Sequence, residues 1–144
     1  MMRRLILKSA AAGALTLMVG LPAFAAGEVK VVYHLSEGLD QAARALGNIR
    51  NHLDADPGAK IVVVTHGSGI EFLLEGAQNR NGQAFDAPVG ALASRGVEFK
   101  VCNNTLNARN IPASKVLMDA KVVPSGVAEV ARLQAREGYA YLHP

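Results

Sequence analysis

Two short, nearly continuous apolar runs stand out in the pattern of hydrophobic and polar positions, with a helical pattern between them. The runs span residues 29–35 and 60–66 and are rich in valine, which is typical of strands that are buried on both faces. Between them, apolar residues recur at helical spacing over residues 39–53, and Asp56-Pro57-Gly58 would end such a helix. This order predicts a β-α-β unit.

The second half of the chain continues the alternation in shorter segments. The predicted helices cover residues 70–77, 86–94, 105–110 and 125–136, the last with a cap at Ser125 and a stop at Gly138. The predicted strands cover residues 98–102, 121–124 and 139–142. Strands that alternate with helices predict an α/β fold of three layers, in which a mostly parallel sheet of about five strands lies between helices. Flavodoxin-like and Rossmann-like folds are built in this way.

Residues 1–25 have the pattern of an export signal. Arg3, Arg4 and Lys8 precede a charge-free apolar stretch, and Ala23-Phe24-Ala25 offers small residues where a signal peptidase cuts. We therefore expect cleavage near Ala25 and Ala26 and a periplasmic protein. The paired arginines favour the twin-arginine route, with the general secretory route and an uncleaved anchor as alternatives.

The remaining residues, 26–144, are expected to form one domain. The whole chain has 15 Lys and Arg residues against 12 Asp and Glu residues. Three of the bases and none of the acids belong to residues 1–25, so the mature chain is formally neutral. We therefore expect neither nucleic acid nor, once the signal is removed, a membrane among its partners.

Cys102 is the single cysteine, and it falls where a predicted strand ends and a short helix begins. One cysteine cannot form a disulfide within its own chain. Beside free backbone amides a thiol can have a lowered pKa and act as a nucleophile. The alternative is a buried and inert side chain, which is the commonest fate of a free cysteine.

Other polar groups follow the strands that would end at the same edge of a parallel sheet. They are His34, His66, Gly67, Ser68, Asn103 and Asn104. A histidine there could stabilise a Cys102 thiolate or move its proton, and the Asn103 and Asn104 amides could stabilise the anion. The small-residue turn with Gly67 and Ser68 could bring amides to an anion, although it matches neither common phosphate motif.

Two alternatives exist for the histidines. Each could simply be hydrogen-bonded at the edge of the sheet. His34, His66 and Cys102 could instead hold a metal such as copper, but they lack the close sequence spacing of usual ligand sets. We therefore predict no metal and no cofactor.

The segment Val-Cys-Asn-Asn-Thr-Leu-Asn-Ala-Arg-Asn-Ile at residues 101–111 resembles the cysteine segment of the DsrE/DsrF-like sulfur-relay proteins. Similar stretches occur at residues 31–35, 65–67, 122–127 and 138–142. The resemblance implies a DsrE-like α/β subunit that assembles into homotrimers or larger rings. It also implies that Cys102 accepts sulfane sulfur as a persulfide and passes it on. Asn110 stands where such proteins often have glycine, and the best understood relays are cytoplasmic.

These observations together predict a periplasmic sulfur carrier, at most a sulfurtransferase, that forms a homotrimer or hexamer. Its partners would be proteins or small thiols that donate and accept sulfur. A terminal strand at a sheet edge needs a cover, so Tyr139 or Tyr141 is expected near a subunit boundary. Two other classes stay open: a non-catalytic module that binds a small ligand or metal, and a purely structural subunit of an oligomer.

Overall fold

The computed structural model describes residues 27–144, so the predicted signal peptide lies outside the described residues. The strands are β1 (Lys30–Leu35), β2 (Lys60–Thr65), β3 (Glu98–Cys102), β4 (Ala120–Val123) and β5 (Ala140–Leu142). The α-helices are α1 (Leu39–Ala55), α2 (Asp86–Ser94), α3 (Asn103–Ala108) and α4 (Gly126–Glu137). Two 3₁₀ helices span Gly67–Leu73 and Ala113–Lys115.

The five strands form one sheet in the order β4-β3-β2-β1-β5, and every neighbouring pair is parallel. The chain therefore steps from β1 out to β4 in one direction, and α4 then returns across the sheet to place β5 beside β1. Because all strands run the same way, their carboxyl ends meet at one edge, which is where open α/β sheets bind ligands. The predicted α/β fold is confirmed, with a sheet that is parallel throughout.

Side chains alternate between the two faces of the sheet, and each face has its own core. Val31 and Tyr33 of β1 belong to a large cluster with side chains of α1 and α2. Val32, between them, belongs to a smaller cluster on the other face, which α4 covers with Val130 and Leu133. Among the residues that the structure describes, α4 is the helix that contributes side chains to this second cluster.

The predicted helix over residues 70–77 is wrong. The chain instead forms the 3₁₀ helix Gly67–Leu73, and Leu74 then pairs with Val116 in an isolated antiparallel bridge. A close backbone approach explains the tighter turn, because a Cβ atom on Gly69 would lie 2.1 Å from the carbonyl oxygen of Leu35. Gly76 then adopts a φ of 80°, which ends any helical continuation.

The predicted helix over residues 105–110 begins and ends two residues earlier, as α3. Cys102 is the last residue of β3 and also the N-terminal flanking residue of α3, so no loop separates the two elements. Asn110 follows the helix with a φ of 53°, in the left-handed region. Asparagine is among the few non-glycine residues that accept this region, so the backbone at this position does not require the glycine that similar proteins often have.

The last helix follows the prediction closely. The Ser125 hydroxyl accepts a hydrogen bond from the Ala128 amide at 3.4 Å, and Gly138 closes the helix with a φ of 72°. Tyr139 is 5% exposed and packs under α4. The expectation that Tyr139 or Tyr141 lies near a subunit boundary stays a prediction. Tyr141 is 42% exposed.

Across residues 27–144, no helix has the length and apolar character to cross a membrane.

Candidate functional site

Cys102 lies at the carboxyl end of β3, on the face of the sheet that α4 covers. It pairs with Val123 of β4, directly before the turn that leads into α4. Its side chain is buried, with 5% of the residue exposed. The thiol therefore sits where the end of a strand, the start of α3 and the start of α4 meet.

Gly126, the first residue of α4, is packed tightly into this junction. A Cβ atom there would lie 3.0 Å from the Thr65 carbonyl oxygen, 3.2 Å from the His66 Cβ atom and 3.3 Å from the Cys102 Cβ atom. A larger residue would therefore fit only if these neighbours moved by a few tenths of an ångström. The first amides of a helix have no partner within the helix, so the Gly126 amide is available to the sulfur.

The Cys102 thiol has opposing influences on its pKa. Burial raises the pKa, but donors from the Gly126 amide, the Thr105 hydroxyl and amide, and the Asn104 amide lower it. The donors prevail, and the pKa of Cys102 lies below its ordinary value. Hydrogen bonds to the charged form favour that form, so the site stabilises a thiolate, which is the nucleophilic form of cysteine.

Thr105 connects the thiol to the turn after β2. Its hydroxyl oxygen accepts a hydrogen bond from the Gly67 amide at 3.0 Å. Because that bond uses an acceptor position of the hydroxyl, the hydroxyl proton stays free to point at the sulfur. Gly67 thus connects to the site through Thr105, and its predicted role in binding an anion stays a prediction.

The other predicted anion-binding residues differ in their placement. The Asn104 amide faces the thiol and also donates to the Pro124 carbonyl at 3.3 Å, which ties α3 to the turn before α4. Asn103 is half-buried at the start of α3, and Ser68 is exposed on the 3₁₀ helix. Neither side chain is among the groups that lower the pKa of Cys102.

The two predicted histidines lie together, and His66 reaches the same helix start as Cys102. The ring centroids of His34 and His66 are 4.7 Å apart, and the His66 Cβ atom flanks Gly126 on the same side as Cys102. His34 shares a hydrogen bond of 2.7 Å between its Nδ1 atom and the Tyr141 hydroxyl. His66, His34 and Tyr141 therefore form one continuous group, and the Cβ atoms of His66 and Cys102 both lie close to the start of α4.

The Nε2 atoms of His34 and His66 are buried, and neither has a hydrogen-bond partner within residues 27–144. Burial, together with the nearby His66 and His143, lowers the pKa of His34. The imidazole of His34 is therefore neutral at neutral pH. A neutral ring with a free nitrogen can accept or donate a proton.

A metal centre finds no support in this arrangement. Within the described part of the chain, no group of three or more His, Cys, Asp or Glu side chains is placed so that it could hold a metal ion. The alternative of a copper-type site formed by His34, His66 and Cys102 therefore lacks its ligand set here.

Sequence reasoning missed three residues of the site: Thr105, Gly126 and Tyr141. Thr105 stands three residues after Cys102 and is recognisable once α3 is known to begin at Asn103. Gly126 follows the Ser125 cap and carries no signal of its own, because its role depends on the strand order. Tyr141 reaches His34 only because β5 pairs with β1.

A comparison with known protein families agrees with the fold. A family model described as the DsrE/DsrF-like family matches residues 15–144. The chain belongs to the DsrE/DsrF-like family. This family is generally related to sulfur relay. No curated protein matches the chain.

Two solved structures share the fold. The protein of unknown function MTH1491 from Methanobacterium thermoautotrophicum is 30% identical, with a TM-score of 0.72, covering 81% of this chain and 100% of that chain. The ychN protein from E. coli is 13% identical, with a TM-score of 0.64, covering 81% of this chain and 98% of that chain. The second likeness shows the fold alone.

Proposed function

We propose that this DsrE/DsrF-like protein is a sulfur carrier, in which Cys102 takes up sulfane sulfur as a persulfide and passes it to an acceptor thiol. The observation that carries the proposal is the ring of donors around the sulfur, from Gly126, Thr105 and Asn104. Those donors stabilise a thiolate, and the thiolate is the form that attacks sulfur.

The proposed reaction needs no external oxidant or reductant. The Cys102 thiolate attacks the terminal sulfur of a persulfide donor, R–S–SH. A new S–S bond forms on Cys102 while the S–S bond of the donor breaks, and the donor sulfur leaves with the electron pair as a thiolate. An acceptor thiolate then attacks the terminal sulfur of the Cys102 persulfide, and Cys102 is released as the thiolate.

The histidines serve this reaction as proton acceptors in the proposal. His66 flanks Gly126 together with Cys102, and the ring of His34 follows at 4.7 Å. A neutral imidazole can take the thiol proton before the attack and return a proton to the leaving thiolate. In this proposal the Tyr141 hydroxyl, which bonds to the Nδ1 atom of His34, holds the ring of His34 in place.

The burial of Cys102 favours a small donor. With 5% of the residue exposed, a bulky disulfide could not approach the sulfur along the line of attack. Inorganic polysulfide or a small persulfide fits the access better. Sulfur donor and acceptor proteins remain partners in this proposal, provided that they deliver a single extended persulfide side chain.

We also propose that the mature chain works in the periplasm as a homotrimer or hexamer. Residues 1–25 carry the export pattern described above. All three residues of the edge strand β5 are exposed, including Tyr141 and Leu142. An exposed edge with apolar side chains is a surface that a second copy of the chain would cover.

The intact mass of the native protein after incubation with polysulfide tests the carrier function. We expect the mass of one added sulfur on the wild-type protein and none on Cys102→Ser. A subsequent incubation with a small thiol should remove the added sulfur. A native protein that gains no sulfur would contradict the carrier function and leave the ligand-binding and structural alternatives.

A further inference from the structure

A buried lysine lies directly beneath the candidate site. Lys100 precedes Cys102 by two residues in β3, so both side chains lie on the face that α4 covers. Lys100 is only 9% exposed, and its Nζ atom lies 2.6 Å from the Oε1 atom of Glu129. Lysine is almost never this buried unless it is paired, so the pair with Glu129 is a specific feature of this face.

Glu129 follows Gly126 by three residues, so it lies almost one helical turn further along α4. Because α4 starts at the carboxyl end of β3 and returns towards its beginning, the two elements run in opposite directions. Two residues of a strand span about 6.6 Å, and three residues of a helix rise about 4.5 Å. Helix α4 and strand β3 therefore meet at two successive contacts. The first joins Gly126 to Cys102, and the second joins Glu129 to Lys100.

Glu129 is itself held on its far side. Its two carboxylate oxygens accept hydrogen bonds from Arg132, at 2.9 Å from Nε and 2.7 Å from Nη2. These bonds lower the pKa of Glu129 to about 2 against the effect of burial, and Lys100 adds to the lowering. Arg132 also pairs with Glu137 at the end of α4, and Glu98 lies 3.8 Å from Lys100. Glu129 is therefore a fixed, charged anchor between the sheet and the helix.

We propose that the ion pair of Lys100 and Glu129 is a positioning device that holds the start of α4 at the height where the Gly126 amide reaches the Cys102 sulfur. Serine capping at Ser125 shapes the helix start, but it does not tie the helix to β3. Lys100 and Glu129 supply that tie, two residues from the thiol. The purpose of this positioning rests on the proposed nucleophilic role of Cys102. The positioning itself can be tested separately, because the thiol can be titrated without any sulfur donor.

The substitution Glu129→Gln distinguishes a positioning effect from a direct charge effect, because the two would shift the thiol pKa in opposite directions. If Glu129 acted on Cys102 through its charge alone, Glu129→Gln would remove a nearby negative charge and lower the thiol pKa. If Glu129 acts through position, Glu129→Gln loosens α4, weakens the Gly126 bond and raises the thiol pKa. Glu129→Asp keeps the charge and shortens the side chain, so it should raise the pKa only by the positioning effect.

Titration of thiolate absorbance in the ultraviolet tests this directly, because Cys102 is the single cysteine and the chain has no tryptophan. We expect higher titration midpoints in Glu129→Gln and Glu129→Asp than in the wild type. At a pH below the midpoint, their thiolate fraction should be about three- to tenfold lower than that of the wild type. Lys100→Arg, which can still bond to Glu129, should stay within twofold of the wild type.

Asp54→Asn is the matched control, because it breaks the exposed pair of Asp54 and Arg95 on the other face of the sheet. It should leave the midpoint unchanged. An unchanged or lowered midpoint in folded Glu129→Gln, or in folded Glu129→Asp where the first variant does not fold, would overturn the inference. Sulfur uptake by the wild type is a separate measurement, so failure of the positioning idea and failure of the carrier function are distinguishable.

Discussion

The Cβ atom of Cys102 lies 3.3 Å from the point that a Cβ atom on Gly126 would occupy. The contact joins the end of β3 to the start of α4 without any side chain between them. It allows a backbone amide to approach the sulfur from the covered face of the sheet. A strand end and a helix start in this contact form a site whose donors are mostly backbone groups, so substitutions affect it through position.

Gly126→Ala should raise the pKa of Cys102 and destabilise the fold. The added methyl group meets the Thr65 carbonyl oxygen at 3.0 Å, so α4 must shift away from the sulfur. Overpacking of this kind costs about 1–3 kcal/mol. Urea unfolding and thiolate titration measure the two effects. Gly47→Ala in α1, where a Cβ atom would meet nothing within 4 Å, should leave the thiol pKa unchanged and stabilise the helix.

Thr105→Val should raise the pKa of Cys102 with little change in shape. Valine keeps the volume of threonine but removes the hydroxyl that faces the sulfur and accepts the bond from Gly67. A hydrogen bond to a charged group contributes about 1.5–3 kcal/mol, which corresponds to about one to two pKa units. Thr105→Ser restores the hydroxyl and should restore most of the wild-type midpoint in the same titration. Equal midpoints in Thr105→Val and Thr105→Ser would mean that the hydroxyl does not act on the thiol.

Features that depend on neighbouring residues could be predicted from the sequence, whereas features that depend on contacts between distant segments could not. Helix α2 and strand β3 match their predicted bounds of residues 86–94 and 98–102, because hydrophobic spacing and a glycine stop are local signals. The 3₁₀ helix at Gly67 was not predictable, since its cause is the approach of Gly69 to the backbone of Leu35.

The residues of the candidate site also divide into those with a local signal and those that depend on long-range packing. Cys102 and the two histidines were found because they stand at strand ends, and strand ends are visible in the hydrophobic pattern. Gly126 and Lys100 were not found, because their roles require the strand order and the packing of α4 across β3. A lysine in an alternating strand pattern gives no sign that it is buried.

Stability should fall as the pH is lowered from 7.5 to 5, in part because of His34. The pKa of His34 is lowered in the folded protein by burial and by His66 and His143, whereas an unfolded histidine titrates near about 6.5. The unfolded state therefore binds more protons in this window, so the stabilisation present above about pH 6.5 is lost as the pH falls towards the lowered pKa. Glu129, with a pKa of about 2, adds a separate loss only below about pH 4.5.

Urea unfolding at several pH values measures this effect. His34→Gln should show a shallower fall between pH 7.5 and 5 than the wild type does. Identical slopes for the two proteins would show that the burial of His34 does not contribute.

Tyr141→Asp should disrupt the proposed homo-oligomer. Tyr141 is 42% exposed on the edge strand β5, and a charge there opposes burial against a second copy. Light scattering at micromolar protein concentration should show a smaller species for this variant than for the wild type. Ala91→Asp, on the exposed side of α2 in the other layer, is the matched control and should assemble normally. A wild-type protein that is monomeric under these conditions would contradict the assembly.

The pH dependence of alkylation of Cys102 in the native protein tests the central claim most directly, because it reports both the access to the thiol and its thiolate fraction. We expect a small alkylating reagent to modify Cys102 without denaturant, with a midpoint clearly below the free value of about 8.5. Cys102→Ser should take up no label. A thiol that stays unmodified across this pH range until the protein is denatured would contradict the account, because such a cysteine could neither accept nor deliver sulfur.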